Sequence, residues 1–122
     1  MKRKRGRYGN VKRTVVNGIK FASQHEATRY GELRLLEAYD KIHDLKLQPR
    51  YPIVIGRVPV VKRSERYPNG RPLTYVADFS YIDTETGNRI IEDVKMQSGH
   101  KTEVYKIKRA LMDAMGYRIT EV

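Results

Sequence analysis

Two apolar runs, Tyr75-Val-Ala-Asp-Phe-Ser-Tyr81 and Ile90-Ile-Glu-Asp-Val-Lys95, each read as a buried β-strand with an acid in its middle. They belong to the longer stretches Leu73 to Ile82 and Arg89 to Met96, joined by the polar turn Asp83-Thr-Glu-Thr-Gly-Asn88, so an antiparallel hairpin is expected. An ionised carboxylate inside a sheet is costly unless something pairs with it. The hairpin brings Asp78 of the first strand to Asp93 of the second. Alternation then puts Asp93 and Lys95 on one face and Glu92 on the other.

Two carboxylates converging in a dry pocket repel each other, and a divalent cation relieves that repulsion. Hard oxygen donors suit magnesium, with manganese as a substitute. Such an ion polarises a phosphate and lowers the pKa of bound water, while Lys95 positions the water or offsets transition-state charge. Asp78, Asp93 and Lys95 therefore point to metal-dependent phosphodiester cleavage. Without a metal the same residues reduce to a structural Asp-Lys pair, although isolated buried pairs often fail to repay their desolvation. The Asp-x-Lys triplet alone carries little, because a chain of this composition yields about one such match by chance. Asp44-Leu-Lys46 is a second match, but it falls at the polar end of an expected helix with no acid-bearing strand ahead of it.

The rest of the chain supplies elements to pack around this hairpin. Ser23 and Glu26 have capping-box spacing and open a helix. Ala27, Gly31, Leu35, Ala38, Ile42 and Leu45 form a stripe at helical spacing that Gln48-Pro49 ends. Short β-branched runs come after it at Tyr51 to Ile55 and Val58 to Val61, then a basic loop from Lys62 to Pro72 with a Pro-Asn-Gly turn signal. After the loop Gln97 to Lys101, Thr102 to Met115 reads as a second helix with Val104, Ile107, Leu111 and Ala114 on its apolar face and Gly116 as its stop. Tyr117 to Val122 returns as a last strand. The expected fold is α/β, in the order α-β-β-β-α-β: a mixed central sheet flanked by two helices, one domain over residues 21–122.

Residues 1–20 read as a basic, flexible N-terminal arm. The chain of 122 residues carries a net charge of +11, and Lys2, Arg3, Lys4, Arg5, Arg7, Lys12 and Arg13 fall in its first thirteen positions with no acid among them. Without those seven the balance drops to +4. Such arms neutralise phosphates without reading sequence; a solubility tail or a membrane-surface patch has the same composition. There is no cysteine, which excludes disulfides and thiolate metal sites. No apolar run approaches a membrane span or a signal peptide, so a cytoplasmic location is expected, with no membrane partner.

Taken together, Phe21-Ala-Ser-Gln-His-Glu-Ala-Thr-Arg-Tyr30, Tyr75-Val-Ala-Asp-Phe79, Glu92-Asp-Val-Lys95 and Thr102 to Arg109 resemble the PD-(D/E)xK nuclease superfamily. The likeness is to a small phage-encoded branch similar in layout to archaeal-type Holliday junction resolving enzymes, and it covers residues 21–122. It implies a restriction-endonuclease-like core and a Mg²⁺-dependent endodeoxyribonuclease. That enzyme would resolve four-way junctions or other branched DNA during phage recombination or replication, in the host cytoplasm. It also implies that Glu26 completes a metal site with Asp78 and Asp93, and that the Val94 carbonyl helps hold the ion. As catalytic residues it gives Asp78, Asp93, Lys95 and Glu26. Glu26 has a competing role in the capping box. Ala77 stands where the motif has proline, and the second acid is Asp93 rather than a glutamate. Some relatives place a glutamine four residues before a tyrosine on the second helix; here Lys101 precedes Tyr105.

A four-way junction is nearly two-fold symmetric, so a homodimer is the expected partner arrangement, with no small-molecule substrate. DNA-contact candidates are Lys2, Arg3, Lys4, Arg5 and Arg7 in the arm, Lys62, Arg63 and Arg66 in the loop, and Lys101, Tyr105, Lys108 and Arg109 near the second helix. Two other readings stay open: a nickase, transposon-end or restriction-type nuclease on duplex DNA, and a non-catalytic basic nucleic-acid-binding protein. His25, His43 and His100 have no zinc-site spacing.

Overall fold

The protein's structure, a computed structural model, describes residues 14–95 and 101–122. It begins with an antiparallel hairpin, β1 (Thr14–Val16) and β2 (Ile19–Phe21), turned at Asn17-Gly18, both with positive φ. This hairpin takes up residues 14–20, which the sequence assigns to the arm. Val16, Ile19 and Phe21 explain the difference, because they pack on the first helix and its core. Residues 1–13 lie outside the described residues.

Helix α1 (Gln24–Ala38) starts where the capping spacing places it: the Ser23 side chain accepts from the Glu26 N–H at 3.1 Å. It stops sooner than the apolar stripe suggests. Asp40 adopts a left-handed φ of 59°, its N–H donates to the Glu37 carbonyl and the Lys41 N–H donates to the Leu36 carbonyl. This paired closure satisfies the last carbonyls and ends the helix. The buried positions are Ala27, Tyr30 and Leu33, whereas Leu35 is 60% exposed.

Beyond this turn the chain forms strand β3 (Ile42–Leu47), antiparallel to β10 (Phe79–Asp83). The register slips by one residue between its two ends, since Ser80 faces Lys46 while Ile82 faces His43. The extra residue is a bulge, and Asp44 within it takes a left-handed φ of 54°. Ile42 and Leu45 therefore point into the same core three residues apart, a spacing that imitates a helix.

Strand β11 (Arg89–Asp93) is antiparallel to β10 and parallel to β12 (Ile119–Glu121), so the central sheet has the strand order β12-β11-β10-β3. The expected hairpin is therefore present, though its first strand is broken: β9 (Thr74–Val76) and β10 are separate, with Ala77 and Asp78 at the bend between them. From the intervening chain, β4 (Arg50–Pro52) pairs with β9, β5 (Val54–Ile55) with β6 (Val58–Pro59), and β7 (Val61–Lys62) with β8 (Arg71–Pro72).

Each sheet face has its own core. Phe79, Tyr81 and Ile90 meet α1 through Phe21, Tyr30 and Leu33, with the Phe21 and Tyr30 rings 5.0 Å apart. Ile91 and Ile119 meet helix α2 (Glu103–Ala114) on the other face through Met112 and Tyr105, joined by Ile53, Tyr75 and Ala77. Thr102 caps α2, and Gly116 stands past its end at φ 96°, as expected. Its inward face differs from the expected stripe: Val104 and Ile107 are exposed, and Tyr105, Met112 and Met115 pack inward instead. The architecture is thus α/β, a mixed sheet with a helix on each face. No described helix is long and apolar enough to cross a membrane.

Candidate active site

The antiparallel register that pairs Phe79 with Glu92 puts Asp78 next to Asp93 at one end of the sheet. The Asp78 N–H donates to the Glu92 carbonyl at 3.0 Å and lies 3.2 Å from Asp93 Oδ1. In return the Val94 N–H donates to Asp78 Oδ2 at 2.7 Å. Asp93 is thus held by the backbone of Asp78, and Asp78 by the backbone one residue past Asp93. Burial pushes both above the usual carboxylate range; the Val94 N–H partly offsets this for Asp78, as the Tyr105 hydroxyl and Asp78 N–H do for Asp93.

Glu26 arrives from the first turn of α1. Its backbone N–H donates to the Ser23 cap, while its side chain turns from the helix start and hydrogen-bonds Asp78. Burial, then repulsion from Asp78 and Asp93, pushes its carboxyl up to about 7. Glu26 therefore keeps its proton to a higher pH than an ordinary carboxyl does.

These three acids line a cleft of about 270 Å³ together with Val94, Lys95, Lys101, Tyr105 and Glu121. Lys95 lies just beyond β11, exposed, its N–H donating to the Val122 carbonyl at 2.7 Å. Its exposed side chain lines the cleft with the acids. The parallel register sets Glu121 beside Asp93. Glu121 collects Arg109 at 2.8 Å, Lys101 at 3.2 Å and the Tyr105 hydroxyl at 3.0 Å. Burial raises Glu121, but these donors more than offset it and hold its carboxyl below the usual range.

Sequence reasoning missed Glu121 and the two phenols, Tyr75 and Tyr105, as parts of the acid cluster. Tyr75 donates its hydroxyl to Asp93 Oδ2. A pairing of β11 with the last strand was the only available signal for Glu121, and the phenols come from elements whose packing the sequence leaves open.

Glu92, as expected, faces away from the cleft. It is 1% exposed on the α1 side, where Arg29 grips it with two bonds, Nε to Oε1 at 2.9 Å and Nη2 to Oε2 at 2.6 Å, and Tyr81 donates to Oε2. That arrangement satisfies a fully buried carboxylate.

Over residues 5–121 the chain matches the family model described as "Protein of unknown function (DUF1064)". The chain belongs to this family. No curated protein and no solved structure matches it. In this DUF1064 protein the remaining basic candidates are dispersed. Lys62, Arg63 and Arg66 are exposed, Arg63 donating to the Pro68 carbonyl and Arg66 lying over the Tyr67 ring. Lys108 donates to the Thr74 carbonyl at 3.0 Å, and Arg109 to that of Ile119. Lys2, Arg3, Lys4, Arg5 and Arg7 lie outside the described residues.

Among the described residues of the DUF1064 protein, no three His, Cys, Asp or Glu side chains stand ready-made around a point that could hold a metal ion. The Glu26 side chain is hydrogen-bonded to Asp78, and Asp93 is turned onto the Tyr75 hydroxyl. The donor chemistry still suits a hard divalent ion. Every donor is oxygen, the acids converge, and burial disfavours leaving them charged and alone. Asp78 and Asp93, with Glu26 and Val94 at the cleft, are the residues that could hold it.

Proposed function

We propose that this protein is a Mg²⁺-dependent DNA endonuclease of restriction-endonuclease-like fold that cuts branched DNA, four-way junctions foremost, as a homodimer. The observation that carries the reading is the pairing of Asp78 with Asp93 in one cleft with Glu26, beside the exposed Lys95. The element order supports it: α1, then β3, β10 and β11 antiparallel in turn, then α2 and a parallel β12. A bound divalent cation would supply Lewis acidity toward a phosphate oxygen. In this chain Asp78 and Asp93 would hold it, and Lys95 would orient the attacking water or meet the charge on the phosphate. Glu26, its carboxyl pushed up to about 7, would join them in its deprotonated form, so cation binding would strengthen as pH rises through neutrality.

Purified protein with Mg²⁺ is expected to cut an end-labelled four-way junction in preference to the matching duplex. Asp93→Asn should abolish cutting by a factor of at least about 10³ while leaving junction binding within about three-fold. Intact junctions after prolonged incubation with Mg²⁺ or Mn²⁺ would sink the nuclease reading. Equal cutting of junction and duplex would instead move the substrate to duplex DNA.

A second reading, a non-catalytic nucleic-acid-binding protein, is favoured by the hydrogen bonds that already satisfy Asp93. It predicts binding without cutting in both wild type and Asp93→Asn.

A further inference from the structure

A groove of about 800 Å³ runs over the α2 side of the sheet, between the start of β4 and the chain leaving α2. Ser80 and Ile91 are at its floor, and it shares no lining residue with the carboxylate cleft. Four cations line it: Lys46 from β3, Arg50 from β4, Arg89 from β11 and Arg118 from the turn before β12. No lining residue is acidic. Arg89 is already committed, bonded to Asp44 and to Ser80. Among the described residues, no carboxylate lies within ion-pair distance of Lys46, Arg50 or Arg118, and all three side chains are exposed. Two aromatic rings complete the wall, Tyr51 and Tyr117, with centroids 5.2 Å apart and Tyr117 38% exposed.

Three cations outside any ion pair, from three separate elements, converge with an exposed phenol ring and no acidic lining residue. The nearby Asp44, which also feels Lys46, is bonded to Arg89, and the set fits a chain of phosphates that carries flat bases. An anionic peptide or lipid surface would use the charge but leave Tyr117 without a role. We propose that this groove is a nucleic-acid-binding site distinct from the carboxylate cleft, with phosphates on Lys46, Arg50 and Arg118 and an unpaired base on Tyr117. Along β11, Arg89 and Asp93 are four residues apart, roughly 13 Å at about 3.3 Å per residue. A strand held in the groove thus has the reach to pass toward the cleft. Binding here does not depend on the cleft being catalytic.

The test uses the full chain in EDTA, so that cleavage plays no part, and reads anisotropy of a fluorescein-labelled single-stranded oligonucleotide and of its duplex. Lys46→Gln, Arg50→Gln and Arg118→Gln combined should weaken single-strand binding at least about ten-fold near 100 mM salt and lower the log–log salt slope by roughly 2 to 3. A control with the same charge change elsewhere, Lys41→Gln, Arg57→Gln and Lys106→Gln combined, should lose less than about three-fold. The charge-preserving set Lys46→Arg, Arg50→Lys and Arg118→Lys should restore most of the affinity, which separates charge from misfolding. Tyr117→Leu should weaken the single strand more than the duplex.

The proposal is overturned if the groove triple binds like the control triple, or if polyglutamate of matched charge displaces the oligonucleotide as well as unlabelled DNA does. Asp93→Asn should keep the groove-dependent binding. A protein that binds through this groove yet cuts nothing would refute the nuclease reading and leave the groove assigned.

Discussion

Glu26 is the residue whose protonation most affects the cleft. An acid with a folded pKa above its unfolded one holds its proton more tightly when folded. It therefore costs no stability well below about 4.5, destabilises increasingly as pH rises toward 7, and keeps that full cost at higher pH. Glu26→Gln is expected to raise thermal stability at pH 8 by about 1 to 2 kcal/mol, after allowing for solvent screening of a half-buried group. Most of that gain should vanish at pH 4.5. Thermal melts at the two pH values check this, and an equal gain at both would show that Glu26 is not strained by its neighbours. Mg²⁺ should act in the same direction: at ten times a Kd near 1 mM it stabilises by about 1.4 kcal/mol at pH 8, and Asp93→Asn should lose the effect. Asp78 and Asp93 were legible because each stands at a fixed position of an apolar segment, whereas Glu26 entered only through the family resemblance, its spacing from Ser23 speaking for a helix cap. Glu121, Tyr75 and Tyr105 were not, because only the parallel pairing of β12 and the docking of α2 bring them there.

The helix that delivers Glu26 also delivers Arg29, one turn later on the same side. Arg29 holds Glu92, whose strand neighbour Asp93 faces the cleft, so one ion pair fixes α1 against β11 and sets the distance from Glu26 to both aspartates. Its hydrogen bonds to Glu92 raise the Arg29 pKa further. Arg29→Met leaves a buried carboxylate without its partner and should cost about 3 to 5 kcal/mol in urea denaturation. Tyr81→Phe removes one donor and should cost about 1 to 2 kcal/mol. Adding Glu92→Gln to Arg29→Met should recover much of the loss; if it recovers none, the pair is not what anchors the helix. Element boundaries were less legible than the acids. The bulge at Asp44 gave β3 a helical spacing, and the left-handed turn at Asp40 that separates it from α1 has no apolar signature. On α2 the exposed Val104 and Ile107 outweighed Tyr105 and Met112 in the pattern, because hydrophobicity alone does not mark which face a neighbour covers.

At the scale of the molecule, charge and chemistry are separated along the chain. Seven basic side chains fall in residues 1–13, whereas Asp78, Asp93 and the groove cations come from residues 46–118. The groove was not legible, because Lys46, Arg50 and Arg118 are isolated in sequence and converge only when β3, β4 and the end of α2 meet over one sheet face. Basic residues clustered in sequence and cations dispersed in sequence should contribute differently to binding. If the charges of residues 1–13 act through counterion release, deleting those residues should lower the log–log salt slope by up to about 6 and weaken affinity steeply at low salt. It should leave the preference among junction, duplex and single strand unchanged, since such contacts position without specifying. The groove triple, by contrast, should change the single-strand preference as well as the slope. Salt titrations of both variants on the three DNA forms decide between them. If deleting the arm erases the preference while the groove triple preserves it, then residues 1–13 discriminate DNA structure and the folded surface supplies only charge.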